Sequence, residues 1–440
     1  MRLAIALSIS LASACLAGPK IFPYEYEQHD FPNGLRLVTV PTDFPNVVAL
    51  YIVVQAGSRN EVEPGKSGFA HFFEHMMFRG TKEFPPDKYQ AVLQKAGAHS
   101  NAYTDDDLTC YHMTFSKPDL ETMLHMEADR FQHLEYAEAD FKTEALAVLG
   151  EYNKNSAEPE QKIHEKLRET AFRTHTYAHT TMGYLKDIQD MPNQYAYSRQ
   201  FFDRFYRPEY TTIIVVGDVK KEQVRPLVEK HWGGWQRGSY QAAVPDEPAQ
   251  GGARTAQIDW PTPTLPWVVT SFRVPAYSDS EKDNAALDII SFLAFSENSP
   301  LYKKLVLEQQ KVDQLGGGYA DHVDPYLFIV NARVKKKEDM DAVREDILST
   351  FATYKDTLVP PERLEQVKKH LRYRLALGFD SSESIASSLA RYVALKRTPE
   401  TVNRLYDIYG QITPEDLRNA ARKYFNESSR TIITLTGATK

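Results

Sequence analysis

The chain has 440 residues, about three times the length of a typical domain, so two domains of about 200 residues are favoured over one. Its 42% hydrophobic and 25% charged residues exclude a disordered chain, a collagen-like repeat and a multi-span membrane protein. A formal net charge of −7 without any basic run argues against a nucleic-acid partner, and two cysteines are too few for a disulfide scaffold or a Cys-ligated zinc finger.

Residues 1–17 are predicted to be a secretory signal peptide. One positive charge precedes an apolar run, Leu3–Leu11, which is too short to span a bilayer and is followed by two candidate small-residue cleavage points. Cys15 leaves open a lipoprotein anchor, although Ala12 stands where such signals usually carry leucine. If Cys15 leaves with the signal, Cys110 is the one remaining thiol and no intrachain disulfide can form. Export without a disulfide favours a bacterial periplasm, so we predict a periplasmic protein with no integral membrane span.

The first half of the mature chain alternates apolar β-branched stretches with helical patterns. The predicted strands are Leu35–Val40, Val47–Val54 and Thr211–Val216, and the predicted helices are Gly68–Phe78, Pro86–Ala96, Pro118–His133, Asp140–Asn153 and Lys221–His231. Residues 238–254 are rich in glycine, proline and alanine and are predicted to be an interdomain linker. We therefore predict an N-terminal domain over residues 18–237.

The second half restarts with the same kinds of element. The predicted strands are Trp267–Arg273, Tyr326–Val334 and Arg430–Leu435, and the predicted helices are Asp283–Phe295, Glu338–Tyr354 and Glu362–Leu377. The closing YFNESSRTIITLTG echoes FYRPEYTTIIVVGD, because each joins an aromatic pair, a polar turn, a β-branched strand and a glycine. Unrelated α/β domains can share such an ending, but the echo favours an internal repeat of about 200 residues. Residues 255–440 are therefore predicted to form a C-terminal domain related to the first.

The strongest chemical signal is the sequence HFFEH at residues 71–75. His71 and His75 are four residues apart, so on a helix both imidazoles lie on one face and can bind one metal ion. Glu74 falls beside that face, where its carboxylate can act on a water molecule without ligating the metal. The neighbouring residues are nearly all apolar, so the helix should be buried and its polar groups need partners. Two core histidines bonded to backbone, with a solvated glutamate, are the weaker alternative.

A third ligand is expected from the helix predicted over residues 140–153. A catalytic zinc site needs a third protein ligand and an open position beside two histidines. Glu144 and Glu151 are seven residues apart and share one face of that helix. One could bind the metal while the other orients a ligand histidine through its second ring nitrogen. Alone the pair would indicate a solvated helix edge, but beside the HxxEH motif it favours a metal site.

The motif and its surroundings resemble a known family. RNEVEPGKSGFAHFFEHMMFRGT, residues 59–81, is similar to the active-site helix of the pitrilysin/insulinase zinc metallopeptidases, the inverzincins that include mitochondrial processing peptidase. The resemblance continues in GAHSNAYT, in the helix with Glu144 and Glu151 and in the two-half layout, so it covers nearly the whole mature chain. It implies an α+β fold of two structurally similar α/β halves, each a mostly antiparallel sheet flanked by helices, which form half of a clamshell.

The resemblance also implies an activity and assigns residues to it. It implies a zinc metalloendopeptidase with one Zn²⁺ per chain that hydrolyses unfolded peptides or oligopeptides. The residues carried over by position are His71, His75 and Glu151 as zinc ligands, Glu74 as general base, Glu144 as the carboxylate behind a ligand histidine, and Asn101 and Ala102 as the edge-strand segment beside the bound peptide.

One feature of catalytically complete relatives is missing from this sequence. Those relatives carry an arginine and a tyrosine seven residues apart in the other half, and the ungapped alignment places Val306 and Asp313 there. Neither side chain can replace a guanidinium or a phenol donor. The chain thus resembles the zinc-bearing subunit of a bacterial two-subunit periplasmic peptidase, which implies a heteromer with a second homologous subunit that supplies the Arg/Tyr pair. A one-residue slip of the alignment, or another tyrosine such as Tyr319, remains the alternative.

Two further alternatives remain at this point. The run Gly316–Gly318 lacks the Gly-Lys-Ser/Thr signature of a phosphate loop, so we predict a flexible turn there instead. The runner-up function is a zinc-binding structural or chaperone-like subunit that does not hydrolyse peptides. Zinc content without cleavage of any unfolded peptide, even with a partner subunit present, would favour that second function.

Overall fold

The computed structural model describes residues 20–438, so the predicted signal peptide and Cys15 lie outside the described residues. The strands are β1 (Glu27–Asp30), β2 (Arg36–Pro41), β3 (Val47–Val54), β4 (His99–Thr104), β5 (Thr109–Ser116), β6 (Thr211–Gly217), β7 (Arg254–Trp260), β8 (Trp267–Val274), β9 (Val312–Tyr319), β10 (Tyr326–Val334) and β11 (Arg430–Gly437). The helices are α1 (Phe69–Met76), α2 (Pro86–Lys95), α3 (Leu120–His133), α4 (Glu138–Asn155), α5 (Pro159–Ala171), α6 (Leu185–Asp190), α7 (Tyr195–Phe205), α8 (Lys221–Trp232), α9 (Lys282–Phe295), α10 (Pro300–Tyr302), α11 (Met340–Asp356), α12 (Pro361–Leu377), α13 (Ser382–Lys396), α14 (Glu400–Gln411) and α15 (Pro414–Tyr424). Across residues 20–438, each helix is too short or too polar to cross a membrane.

The N-terminal sheet has six strands in the order β1-β2-β6-β3-β5-β4. Strands β2 and β6 run parallel, and all other neighbours are antiparallel. The central strands β3 and β6 are rich in β-branched residues, have few polar side chains and are buried along most of their length. Such runs are typical of strands that are covered on both faces, which is why they sit in the middle of the sheet.

The C-terminal sheet repeats this arrangement with five strands in the order β7-β11-β8-β10-β9. Strand β7 runs parallel to β11, as β2 does to β6, and the remaining pairs are antiparallel. Strand for strand, β7-β11-β8-β10-β9 corresponds to β2-β6-β3-β5-β4. The prediction of an α+β fold with two similar halves, each a mostly antiparallel sheet flanked by helices, is therefore confirmed.

Each half also places one helix against the sheet of the other half. Helix α5 packs Ile163 and Leu167 against Val269 and Ile433 of the C-terminal sheet. Helix α13, from the second half of the chain, packs against β3 and β6 of the N-terminal sheet. Apolar residues of both halves consequently belong to shared cores, so each half helps to bury the sheet of the other.

A buried ionic network joins the two halves at their hairpin turns. Asp106, in the β4–β5 turn, accepts hydrogen bonds of 2.7 Å from both terminal nitrogens of Arg168. Its Oδ2 also lies 3.1 Å from Nε2 of His322 in the β9–β10 turn, whose Nδ1 is 2.9 Å from the Ala320 carbonyl. Burial opposes the charged imidazole, but the hydrogen bond to Asp106 and the charges of Asp106 and Asp107 outweigh it and raise the pKa of His322.

The glycine run Gly316–Gly318 lies in strand β9, so the prediction of a flexible turn there is wrong. Gly317 pairs with Val330 of β10, and a Cβ on Gly317 would come within 2.7 Å of the Phe295 ring on α9. The hydroxyl of Ser291, also on α9, donates a 2.8 Å hydrogen bond to the Gly317 carbonyl. The close approach of α9 to this edge strand therefore explains Gly317 and Gly318, where a Cβ would lie 2.9 Å from Ser291 Oγ, whereas Gly316 has open space around it.

Candidate metal centre

The HFFEH sequence lies on α1, and a buried carboxylate and a glycine fix where this helix begins. Both carboxylate oxygens of Glu61 accept 2.7 Å hydrogen bonds, one from the amide of Gly68 and the other from that of Ala70. Burial raises the pKa of Glu61 to about 8 against these bonds. Gly68 has φ +92°, and a Cβ there would lie 2.3 Å from Ile188 Cδ1 and 2.9 Å from the Met182 carbonyl. Only glycine fits at this helix start without displacing its neighbours.

Helix packing brings the three predicted metal ligands together. His71 and His75 have ring centroids 4.8 Å apart, and Glu151 reaches them from α4. Its Oε2 lies 3.6 Å from His71 Nε2 and 3.4 Å from His75 Nε2, and all three donor atoms lie within 4.8 Å of one another. Ligands about 2.0–2.1 Å from a tetrahedral zinc are about 3.3–3.4 Å from each other. The donor set therefore fits such an ion with little movement.

The two imidazoles have different electrostatic surroundings. Burial, together with neighbouring His75, lowers the pKa of His71 and favours the neutral form that binds metals. Nδ1 of His75 lies 2.9 Å from Oε1 of Glu144, which raises the pKa of His75 and lowers that of Glu144. With a proton on Nδ1 directed at Glu144, the lone pair on Nε2 of His75 is left for a metal.

Arg79 completes a chain of contacts behind His75, and sequence reasoning missed it. Its Nε donates a 2.8 Å hydrogen bond to Oε2 of Glu144, and a second guanidinium nitrogen contacts the same oxygen. The available signal was spacing, because Arg79 follows His75 by four residues and the helical turn continues through Met77–Arg79. Glu144 is thereby held between a guanidinium and an imidazole.

Glu74 is bound to the edge strand of the N-terminal sheet. Its Oε2 accepts a 2.7 Å hydrogen bond from the hydroxyl of Thr104, the last residue of β4. Sequence reasoning did not single out Thr104, although it closes the GAHSNAYT stretch. Asn101 and Ala102 lie on the same strand, which pairs on one side with β5 and has no strand on its other side within residues 20–438. The predicted base and the predicted peptide-binding segment are thus neighbours.

The two positions expected to hold an arginine and a tyrosine are occupied by Val306 and Asp313, which make other contacts. Val306 is half-buried and packs against the core of the C-terminal half. Asp313, at the start of β9, forms a 2.9 Å ion pair with Nε of Arg333. Tyr319, at the end of that strand, donates a 2.6 Å hydrogen bond to Asp321. No Arg/Tyr pair therefore stands at these two aligned positions.

Comparison with known proteins gives matches along most of the chain. A family model described as "Insulinase (Peptidase family M16)" matches residues 36–184, and one described as "Peptidase M16 inactive domain" matches residues 194–371. The zinc protease PqqE of Helicobacter pylori is 27% identical over 421 residues, which cover 93% of each chain. A solved protease structure from Helicobacter pylori has a TM-score of 0.87 at 27% identity and covers 94% of this chain and 99% of its own. The periplasmic protease PqqL from Escherichia coli shares the fold, with a TM-score of 0.75 at 18% identity, covering 94% of this chain and 48% of that chain.

Proposed function

The chain belongs to the insulinase (M16) family of peptidases, and we propose that it is a zinc-dependent endopeptidase acting on unfolded peptides or oligopeptides. The observation that carries this proposal is the convergence of His71, His75 and Glu151, whose donor atoms lie within 4.8 Å of one another. A half-exposed Glu151 beside a buried His71 leaves one side of the centre accessible from solvent. That combination matches a catalytic site, which keeps one position open, better than a closed structural site.

The residues of the centre divide the chemistry among themselves. When bound by His71, His75 and Glu151, zinc would supply Lewis-acid chemistry, polarising the scissile carbonyl and making a water molecule more acidic. Glu74 takes the proton of the attacking water and returns it to the leaving amine. Thr104 holds one carboxylate oxygen of Glu74 at 2.7 Å, so the other oxygen is left for this proton transfer.

The free edge of β4 supports recognition of an extended peptide. A substrate pairing with this edge would add a strand to the sheet, and main-chain hydrogen bonds would hold it with little dependence on side chains. Asn101 and Ala102 lie on that strand, and Thr104 at its end holds Glu74. A peptide bound along β4 would therefore pass the proposed base, and a folded segment could not pair in this way.

We further propose that a second homologous subunit supplies the missing Arg/Tyr pair and that the protein acts in the periplasm. Val306 and Asp313 offer neither a guanidinium nor a phenol, and Asp313 is already paired with Arg333. The chain corresponds to 48% of the length of PqqL, whose fold it shares, so a second chain of this size would make up the rest of such a clamshell. The signal-like residues 1–17 support export to the compartment named for PqqL.

Metal analysis combined with digestion of an unfolded peptide tests the proposal. The wild-type chain and Glu74→Gln should each bind one zinc, and Glu74→Gln should hydrolyse about 10²- to 10⁴-fold more slowly because its base is lost. Glu345→Gln, at an exposed position of α11, is the matched control. Each protein is assayed alone and with a homologous subunit that carries the Arg/Tyr pair.

The outcomes separate the parts of the proposal. Wild-type hydrolysis by a zinc-loaded Glu74→Gln would overturn the assigned base. Strong activity of the single chain would remove the need for a partner. One zinc per chain without cleavage in any combination would instead favour the non-hydrolytic zinc-binding subunit.

A further inference from the structure

The C-terminal half contains a polar cavity where the N-terminal half has its candidate metal centre. Matching the two sheets strand by strand pairs α9 with α1, β9 with β4 and α12 with α4. The cavity has a volume of about 270 Å³ and is lined from α9, the end of β9, α12, α13 and α14. It is therefore built from the counterparts of the elements that hold the metal ligands and Glu74.

The residues at corresponding positions are not metal ligands. Asn284 and Asp288 stand four residues apart on α9, as the two histidines do on α1. Arg374 lies 13 residues after the first residue of α12, as Glu151 does after the first residue of α4. Since a guanidinium takes the place of the third ligand and no imidazole or thiolate lines the cavity, this site is not suited to zinc.

The cavity instead presents charges of both signs. Asp288 accepts a 2.7 Å hydrogen bond from the Tyr409 hydroxyl, and burial raises its pKa. Asp321 accepts from Arg391 at 3.3 Å. Arg374 lines the cavity and is itself exposed to solvent, and it has no ion pair or hydrogen bond to any residue within 20–438. Two carboxylates and two guanidiniums thus share a small space with spare hydrogen-bonding capacity.

We propose that this cavity binds a free α-amino acid, with the ammonium between Asp288 and Asp321 and the carboxylate on Arg374 and Arg391. Arginine is suited to a carboxylate because its planar fork offers two parallel N–H donors. A zwitterion satisfies both pairs at once, whereas an anion or a cation alone would leave one pair unmatched. The volume of about 270 Å³ lies below the roughly 300–1,000 Å³ of pockets for drug-sized ligands, which favours a ligand as small as a single amino acid. The site does not depend on hydrolysis, so it stands apart from the proposed peptidase function.

Binding of single amino acids to the full chain tests the proposal. Each common L-amino acid is screened by thermal shift, and the best binder is compared by calorimetry with its amide and its N-acetyl derivative. Each blocking group removes one charge, so each derivative should bind about 10- to 100-fold more weakly. Arg374→Gln and Asp288→Asn should weaken binding of the free amino acid to a similar extent. Arg372→Gln, exposed on the same helix but outside the cavity, should not.

Several results would overturn the proposal. They are the absence of binding by every amino acid, an amide that binds as tightly as the free acid, and equal behaviour of Arg374→Gln and the wild type. The amide result would mean that the site binds only an ammonium group, as on a peptide N-terminus. An amino acid that bound to zinc at the metal centre instead would bind the wild type and Arg374→Gln equally, because the metal centre lies in the N-terminal half and Arg374 in the C-terminal half. Arg374 is exposed and makes no hydrogen bond or ion pair to residues 20–438, so its loss should leave the fold intact.

Discussion

Replacing Glu144 with glutamine should weaken zinc binding without removing a ligand. Glu144 is buried, with Oε1 at 2.9 Å from Nδ1 of His75 and Oε2 at 2.8 Å from Nε of Arg79. Glutamine has the same size and can still accept a hydrogen bond from the imidazole, but it carries no charge. The substitution therefore removes the electrostatic support of His75 while leaving His71, His75 and Glu151 in place.

The magnitude follows from what the carboxylate does for His75. Loss of such a partner typically lowers metal affinity about 10- to 100-fold, which is about 1.4 to 2.8 kcal/mol. The raised pKa of His75 should fall, because its hydrogen bond to Glu144 is the main cause of the rise. The side chain of Arg79 is 38% exposed and can turn to solvent, so the metal-free fold should lose less than about 1 kcal/mol.

Zinc competition with a chromogenic chelator measures the affinity, and urea unfolding of the metal-free protein measures the stability. Glu138→Gln, at the exposed start of the same helix, is the control and should match the wild type in both. Arg79→Gln should show part of the loss in affinity, because it leaves Glu144 charged but less firmly held. Wild-type zinc affinity in Glu144→Gln would refute the reasoning, and so would an equal loss in the Glu138 control.

Three further predictions concern the base, the helix start and the contact between the halves. Thr104→Val should lower kcat about 10-fold with unchanged zinc content, because the hydrogen bond to Glu74 is lost; an unchanged kcat would contradict the role of Thr104. Gly68→Ala should destabilise the fold by more than about 2 kcal/mol, because the new Cβ would clash with its neighbours. Gly97 has φ +58° and open space around its Cβ position, so Gly97→Ala should cost only about 1 kcal/mol of backbone strain. Equal urea midpoints for the two variants would reject the steric argument. His322→Gln should lower the free energy of unfolding by about 2 kcal/mol near pH 6, and by progressively less as the pH rises through the raised pKa of His322 in the folded protein. The reason is that a group with a raised pKa stabilises the fold most below its unfolded pKa, which is about 6.5 for histidine. Arg168 and His322 hold the pKa of Asp106 well below its usual range despite burial, so Asp106 stops stabilising the fold only in strong acid. If His322→Gln lowered the free energy of unfolding by the same amount near pH 6 and above the raised pKa of His322, the role assigned to His322 would be contradicted.

The strands and helices with a strong apolar pattern could be predicted from the sequence. Strand Val47–Val54 has the predicted bounds, and the helix on residues 120–133 begins only two residues later than expected. The elements that were missed carry mixed patterns: β5 alternates apolar and polar side chains, and α13 has serines among its apolar residues. Helix α13 is buried by contact with β3 and β6 of the other half, and β5 is buried between its neighbouring strands and α1. Local periodicity carries no information on such contacts between distant elements.

In the candidate site, the sequence alone determined that His71 and His75 can share one ion, because a helical repeat of 3.6 residues puts them on one face wherever the helix lies. The position of Glu151 opposite them, the clamp of Arg79 on Glu144 and the bond from Thr104 to Glu74 were decided by the packing of α1 against α4 and β4. Gly317 and Gly318 of β9 show the same limit, because the neighbouring helix α9 leaves no room there for a Cβ. Spacing along one helix is a local property of the chain, whereas contacts between distant elements arise only when burial of the cores brings those elements together.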